Sequence, residues 1–196
     1  EEVLDSPLIS DPLRRLDCCV TTDGGGAVVV AARDVVEQSG RRAAWVRGWS
    51  ESLRTMSGGR LDLMRNGADR TGPAAFARAG IGPDDVDYAS LYDSFTITVL
   101  LALEDLGFCG KGEGGPFVAD GALGPGGTLP GQTSGGGLAY THPGAFGAFL
   151  LVEATRQLRG ECGERQVQDA KTAVAHGTGG VLSATSTVIL GTEATL

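Results

Sequence analysis

Gly135-Gly136-Gly137-Leu138-Ala139-Tyr140-Thr141-His142-Pro143-Gly144-Ala145-Phe146-Gly147 puts a glycine run, a tyrosine and one of the chain's two histidines directly ahead of a long apolar stretch. Glycines let a backbone come close to a ligand. The start of a helix offers unpaired N–H groups and the positive end of a dipole to an anion or a developing oxyanion. A surface loop with a helix-capping histidine would use the same residues, so the segments on either side have to decide between the two.

Downstream, the apolar stretch reads as a helix from about Ala145 to Arg159, apolar all round for two turns and amphipathic for the last two. Arg156 and Arg159 suit its negative end, and Gly160 suits the stop. Glu161 to Gln168 reads as a solvated loop. Lys171–Ala175 and Leu182–Leu190 read as strands joined across His176-Gly177-Thr178-Gly179-Gly180, which places the second histidine in a turn.

Upstream, Gly110 to Gly137 is long for a structureless connection and points to a functional loop. Before it, Thr96–Leu106 forms a nearly all-apolar helix, capped by Ser94 and stopped by Gly107. Val86–Leu91 alternates like a half-buried strand and delivers Tyr92-Asp93-Ser94-Phe95 to its C-terminal end. Earlier still, Pro73 opens a helix that runs to Ala79, Ser57 to Thr71 is loop, Ala43–Ser50 is a strand, and Asp34–Gln38 adds a helical turn. Asp23-Gly24-Gly25-Gly26 leads into Ala27–Ala31, which suits a buried strand, and Glu1 to Asp17 reads as a peripheral linker. Strands alternating with helices make an α/β layered domain with a mixed sheet. Three segments then gather at strand ends or helix starts, where sites in such sheets cluster: Tyr92–Ser94, Tyr140–Gly144 and His176–Gly180.

Composition narrows the function. The chain of 196 residues carries 16 basic and 24 acidic side chains, a net charge of -8, and has no basic stripe to neutralise phosphates, so nucleic acid is not expected as a partner. A CoA-type ligand, held by a few cations and backbone N–H groups, is compatible with that charge. Cys18, Cys19, Cys109 and Cys162 lack C-x-x-C spacing and read as reduced thiols of a cytoplasmic protein. The two histidines stand far apart with no clustered ligands, so no metal is expected. No apolar run is long enough to span a membrane and no signal peptide is visible. The chain opens at Glu1, as a piece of a longer protein would.

The ordered trio resembles the C-terminal half of a thiolase: a strand end running into Ser94-Phe95, then Gly136-Gly137-x-x-x-x-His142-Pro143-x-x-x-Gly147, then Gly179-Gly180 between two last strands. Asp23-Gly24-Gly25-Gly26-Ala27 is similar to the segment that closes the thiolase N-terminal half. The resemblance implies a thiolase-like layered α-β-α fold, with residues 1–42 a remnant of the first half and linker, and 43–196 a C-terminal-type domain. It implies that His142 serves the oxyanion of the thioester enolate, and that Gly136, Gly137, Gly179 and Gly180 bind substrate or CoA. Two positions depart from the thiolase pattern: Tyr92 stands where asparagine is usual, and His176 where a cysteine is usual.

Tyr-Asp-Ser-Phe and Tyr-Thr-His-Pro are closer to the thiolase-like lipid-transfer proteins, which include aldolases that cleave steroid side-chain CoA thioesters. That resemblance implies retro-aldol cleavage of a β-hydroxyacyl-CoA, with Tyr140 or Tyr92 as general acid/base, His142 as oxyanion donor and His176 as an orienting or second donor group. It implies no cofactor beyond the CoA thioester itself, a homodimer, and a small OB-fold partner protein. An acyltransferase using a cysteine of the preceding half, and a non-catalytic acyl-CoA or lipid-binding subunit, are the alternatives.

Overall fold

A computed structural model describes residues 1–54 and 62–196. At the N-terminus lie a short helix α1 (Glu2–Asp5) and a small hairpin of β1 (Leu8–Ser10) and β2 (Leu13–Arg14). Helix α2 (Arg33–Ser39) follows, then β3 (Trp45–Leu53), α3 (Ala68–Ala79), β4 (Tyr88–Leu91) and α4 (Thr96–Leu106). Two short helices, α5 (Gly114–Ala119) and α6 (Gly136–Ala139), interrupt the glycine-rich connection to α7 (Gly147–Arg159). Strands β5 (Thr172–Gly179) and β6 (Ala184–Gly191) complete a four-stranded sheet of order β3-β6-β5-β4 among the described residues. β4 and β5 run parallel, as a helical crossover dictates, whereas β6 is antiparallel to both β5 and β3. No helix among the described residues is long and apolar enough to cross a membrane.

Helices cover both faces of this sheet, giving the α-β-α layering and the mixed sheet read from the sequence. On one face Phe76, Ala79, Leu103 and Leu106 of α3 and α4 pack on Leu91, Val174 and Ile189. On the other, Ala154 and Leu158 of α7 pack on Tyr88, Ala173 and Leu190, and Phe146 and Leu150 on Ala175. Successive residues of a strand point to opposite faces. Val174 and His176 therefore belong to the α3 side of β5, while Ala173, Ala175 and Gly177 belong to the α7 side.

Several elements differ from expectation. Ala27–Ala31 is not a strand; Val29 and Val30 are 93% and 83% exposed, and no strand among the described residues pairs with them. The expected loop Ser57–Thr71 falls outside the described residues as far as 61, but its end is helical. α3 starts at Ala68, whose N–H is taken by Asn66 Oδ1 at 2.9 Å. Pro73 thus lies inside α3, on its exposed side, where the bond it cannot donate costs least. β4 is buried along its whole length because helices cover both its faces. The N-cap of α4 is Phe95, not Ser94, and Thr98 Oγ1, in the first turn, accepts the Phe95 N–H at 3.2 Å. α7 stays buried along one face to its end and encloses Glu153, which pairs with Arg165 at 3.2 Å. The histidine-glycine segment after Ala175 is not a turn: His176 to Gly179 continue β5, and the turn begins at Gly180, φ +59°.

Candidate active site

Where β4 ends, the Tyr92 N–H donates to the His176 carbonyl at 2.8 Å, so the register of β4 on β5 carries through to the residues beyond it. The Tyr92 ring lies against the start of α7. Its centroid is 5.5 Å from that of His142, with 23° between the planes, and 5.8 Å from Phe146. His142 continues the stack onto Phe146 at 6.1 Å, and Phe146 onto Phe149 at 5.5 Å. Within this stack the Tyr92 hydroxyl meets His142 Nε2 at 2.6 Å. Burial, with smaller contributions from Cys19 and Asp93, pushes the Tyr92 phenol above its ordinary value, so it is protonated around neutral pH. A protonated phenol at that distance donates where Nε2 carries no proton and accepts where it does, so the His142 tautomer sets the direction of the bond.

The loop carrying His142 is held from three sides. Its N–H donates to Thr22 Oγ1 at 3.1 Å, and the Thr22 and Thr141 hydroxyls are 2.5 Å apart. Val20 N–H donates to the Gly137 carbonyl at 2.8 Å, and Cys19 N–H to the Ser94 carbonyl at 3.0 Å. Asp93, 2% exposed, accepts the N–H groups of Gly137 and Leu138 at 2.7 and 3.1 Å. A Cβ on Gly136 would run into the Asp93 carboxylate. Gly136 and Gly137 therefore seat the loop on Asp93 instead of facing open space.

Beside Tyr92 opens a cleft of about 730 Å³, floored by Ala175 and Gly177 of β5 and walled by Phe146, Leu150 and Val188. Gly179 lines its far end, while Gly180 turns the chain away into β6. Tyr140 stands on the His142 loop, 64% exposed and outside the ring stack. Of the expected site residues, the structure brings Tyr92 and His142 into contact, leaves Tyr140 on the open side, and puts His176 elsewhere.

His176 faces α3, across the sheet from the cleft. Its ring is 1% exposed. Asn66 Oδ1 is engaged by the Ala68 N–H, so its amide nitrogen at 3.4 Å faces His176 Nε2, which must accept. Nδ1 then carries the proton and donates to Thr187 Oγ1 at 2.9 Å, which in turn meets Thr71 Oγ1 at 2.7 Å. Strand alternation is the reason for the misplacement. The β5 residue on the cleft side is Gly177, with no side chain to offer, so neither the orienting nor the second-donor role expected of the His176 ring is available to it.

Burial lowers the His176 pKa to about 4. An unfolded histidine titrates near ~6.5. The unfolded chain therefore takes up the proton first as pH falls, and this contribution, complete above about pH 6.5, is lost progressively down to about pH 4, roughly 3 kcal/mol in all. Asp93, whose carboxyl is raised by burial, acts in the opposite sense at acid pH, so the comparison needs a variant. Urea midpoints measured between pH 7 and pH 4.5 are expected to fall more steeply in the parent than in His176→Gln. Parallel slopes would contradict the neutral buried imidazole.

Asp93 as a loop anchor and the contribution of Thr22 and Cys19 were not read from the sequence. A threonine in an apparent linker carries no signal of its own.

Comparisons with known proteins show the family to which this fold belongs. A family model described as thiolase C-terminal domain-like matches residues 50–192. An acetyl-CoA acetyltransferase of Methanothermobacter thermautotrophicus is 38% identical over 92% of this chain and 48% of its own length. A 17-hydroxy-3-oxo-4-pregnene-20-carboxyl-CoA lyase of Mycobacterium tuberculosis is 41% identical over 82% of this chain and 42% of its own. Among solved structures, the Ltp2-ChsH2(DUF35) aldolase superposes with a TM-score of 0.89 at 34% identity, over 98% of this chain and 50% of that one. The chain spans about half the length of the curated relatives it matches. With the family match covering most of its residues and relatives of this identity covering most of the chain, the protein belongs to the thiolase superfamily, as a thiolase C-terminal domain-like chain.

Proposed function

We propose that this chain supplies half of a CoA-thioester C–C bond-cleaving enzyme, and that its reaction is retro-aldol cleavage of a β-hydroxyacyl-CoA of the steroid side-chain type. The observation that carries the reading is the 2.6 Å contact of Tyr92 with His142, beside a strand position, Gly177, that has no thiol. Tyr92 receives the proton of the substrate's β-hydroxyl as it hands its own to His142 Nε2. The Cα–Cβ electron pair moves onto the thioester, the β-carbon leaves as a ketone or aldehyde, and the enolate remains. The new positive charge on His142 stabilises that enolate, which keeps the histidine in its oxyanion role. Return of the proton through Tyr92 to Cα gives the shorter acyl-CoA and restores both side chains. Tyr140, exposed on the same loop, is left the role of meeting the substrate from the open side.

The relatives' double length supports a preceding half whose last part is residues 1–42, and a relative solved as an aldolase with ChsH2(DUF35) supports a small partner protein. A homodimer and a cytoplasmic location complete the reading. The acetyltransferase relative favours a second one, acyl transfer through a cysteine of the preceding half. The full-length protein with its partner, offered a β-hydroxyacyl-CoA without free CoA, is expected to release a carbonyl compound and a shorter acyl-CoA. Turnover confined to a β-ketoacyl-CoA with free CoA would make it a thiolase.

A further inference from the structure

Tyr92 and Asp93 are consecutive at the end of β4, yet both side chains reach the same loop. Tyr92 binds the His142 ring at 2.6 Å, and Asp93 binds the loop's main chain at Gly137 and Leu138. The helix those two amides open, α6, has only four residues. A single turn does not hold itself together, because nucleating a helix fixes several residues for one bond. The carboxylate supplies what the turn lacks, an acceptor for its first N–H groups. It does so almost fully enclosed, where a carboxylate without donors is costly. The fit is also tight from the glycine side: a Cβ on Gly137 would lie 3.1 Å from both Asp93 Oδ1 and His142 Cδ2. Asp93, Gly137 and the histidine ring are thus in one line of contact.

We infer that Asp93 is a positioning residue for the proposed reaction: by clamping the Gly137–Leu138 turn to the residue next to Tyr92, it fixes the distance between the Tyr92 hydroxyl and His142 Nε2. The inference rests on reading Tyr92 and His142 as the working pair. One dipeptide then sets both ends of the proton relay, and loop movement does not separate them. A carboxylate is needed because two N–H groups converge on it. The amide of an asparagine offers one acceptor and turns its NH₂ towards the second N–H.

The test uses the full-length protein with its partner and compares the parent, Asp93→Asn and Tyr92→Phe. Asp93→Asn is expected to lower kcat about 10- to 100-fold with KM little changed, as misplacement of a reacting group does. The ring signals of His142 in NMR should move towards those of Tyr92→Phe, and the Gly137 and Leu138 amides should exchange faster. An Asp93→Asn protein with parent kcat and parent His142 signals overturns the inference, as does one that is less stable but has both unchanged. Should Asp93→Asn fail to fold, Gly137→Ala enters the same contact from the other side and is expected to give the same signature; parent behaviour there overturns the inference equally. If the parent itself cleaves no β-hydroxyacyl-CoA, the functional reading fails, and the NMR and exchange comparison decides the clamp by itself.

Discussion

Tyr92→Phe is expected to reduce kcat for β-hydroxyacyl-CoA cleavage by about 10²- to 10⁴-fold, the range over which a positioned acid/base group contributes. The substitution keeps the ring that stacks on His142 and Phe146 and removes only the hydroxyl that meets Nε2 at 2.6 Å. Fold stability should change by no more than about 1 kcal/mol, the net worth of one hydrogen bond. The loss is therefore readable as chemistry and not as unfolding. It belongs in kcat, because the hydroxyl is required as the proton moves and not for holding the acyl chain. Tyr140→Phe at the parent rate, alongside an impaired Tyr92→Phe, assigns the relay to Tyr92. A Tyr92→Phe enzyme that cleaves at the parent rate would refute the mechanism.

A large effect on stability is expected at Gly48, on the face of β3 that meets α3. Gly48 sits in β3 beside an irregularity in the register with β6, where α3 comes down onto the sheet. A methyl group there would run into the Ala75 carbonyl oxygen and lie 2.9 Å from the Ala79 nitrogen. Both are main-chain atoms of α3, so relief requires moving that helix as a unit. Gly48→Ala is expected to cost roughly 2–3 kcal/mol, at the upper end for overpacking. Gly115, in α5 with nothing within 4 Å of an added Cβ, is the control. There alanine should be neutral or stabilise by up to about 1 kcal/mol, since it restricts only the unfolded chain. Equal denaturant midpoints for the two variants would contradict this account of the α3–β3 contact.

Much of this molecule could be read before the coordinates. Local chemistry placed α4 and α7 and their glycine stops at Gly107 and Gly160, both of which take left-handed conformations. The same local signals placed the strand that delivers Tyr92. The site was legible where its residues share a loop or a strand end, as Tyr92 and His142 do. What was not legible depends on partners distant in sequence. Ala27–Ala31 has the composition of a buried strand, but a strand exists only when something pairs with it. Pro73 looked like a helix start because nothing nearby reveals that Asn66 already caps the helix seven residues earlier. Nothing beside Asp93 in the sequence announces that its bonds go 44 and 45 residues downstream. His176 carried the right chemistry at the right end of the right strand, and a glycine-rich neighbourhood made a turn of what is a continuing strand.

Strand β5 holds an imidazole and a bare glycine on consecutive residues, one bonded to threonine and asparagine side chains under α3 and the other flooring the cleft. Sliding β5 by a single residue would exchange them. Which side chain greets a substrate in this architecture is thus decided by how β5 is stitched to β4 and β6, and a lineage could trade one chemistry for another there by an insertion or deletion at the strand's end, with no residue of the loops altered.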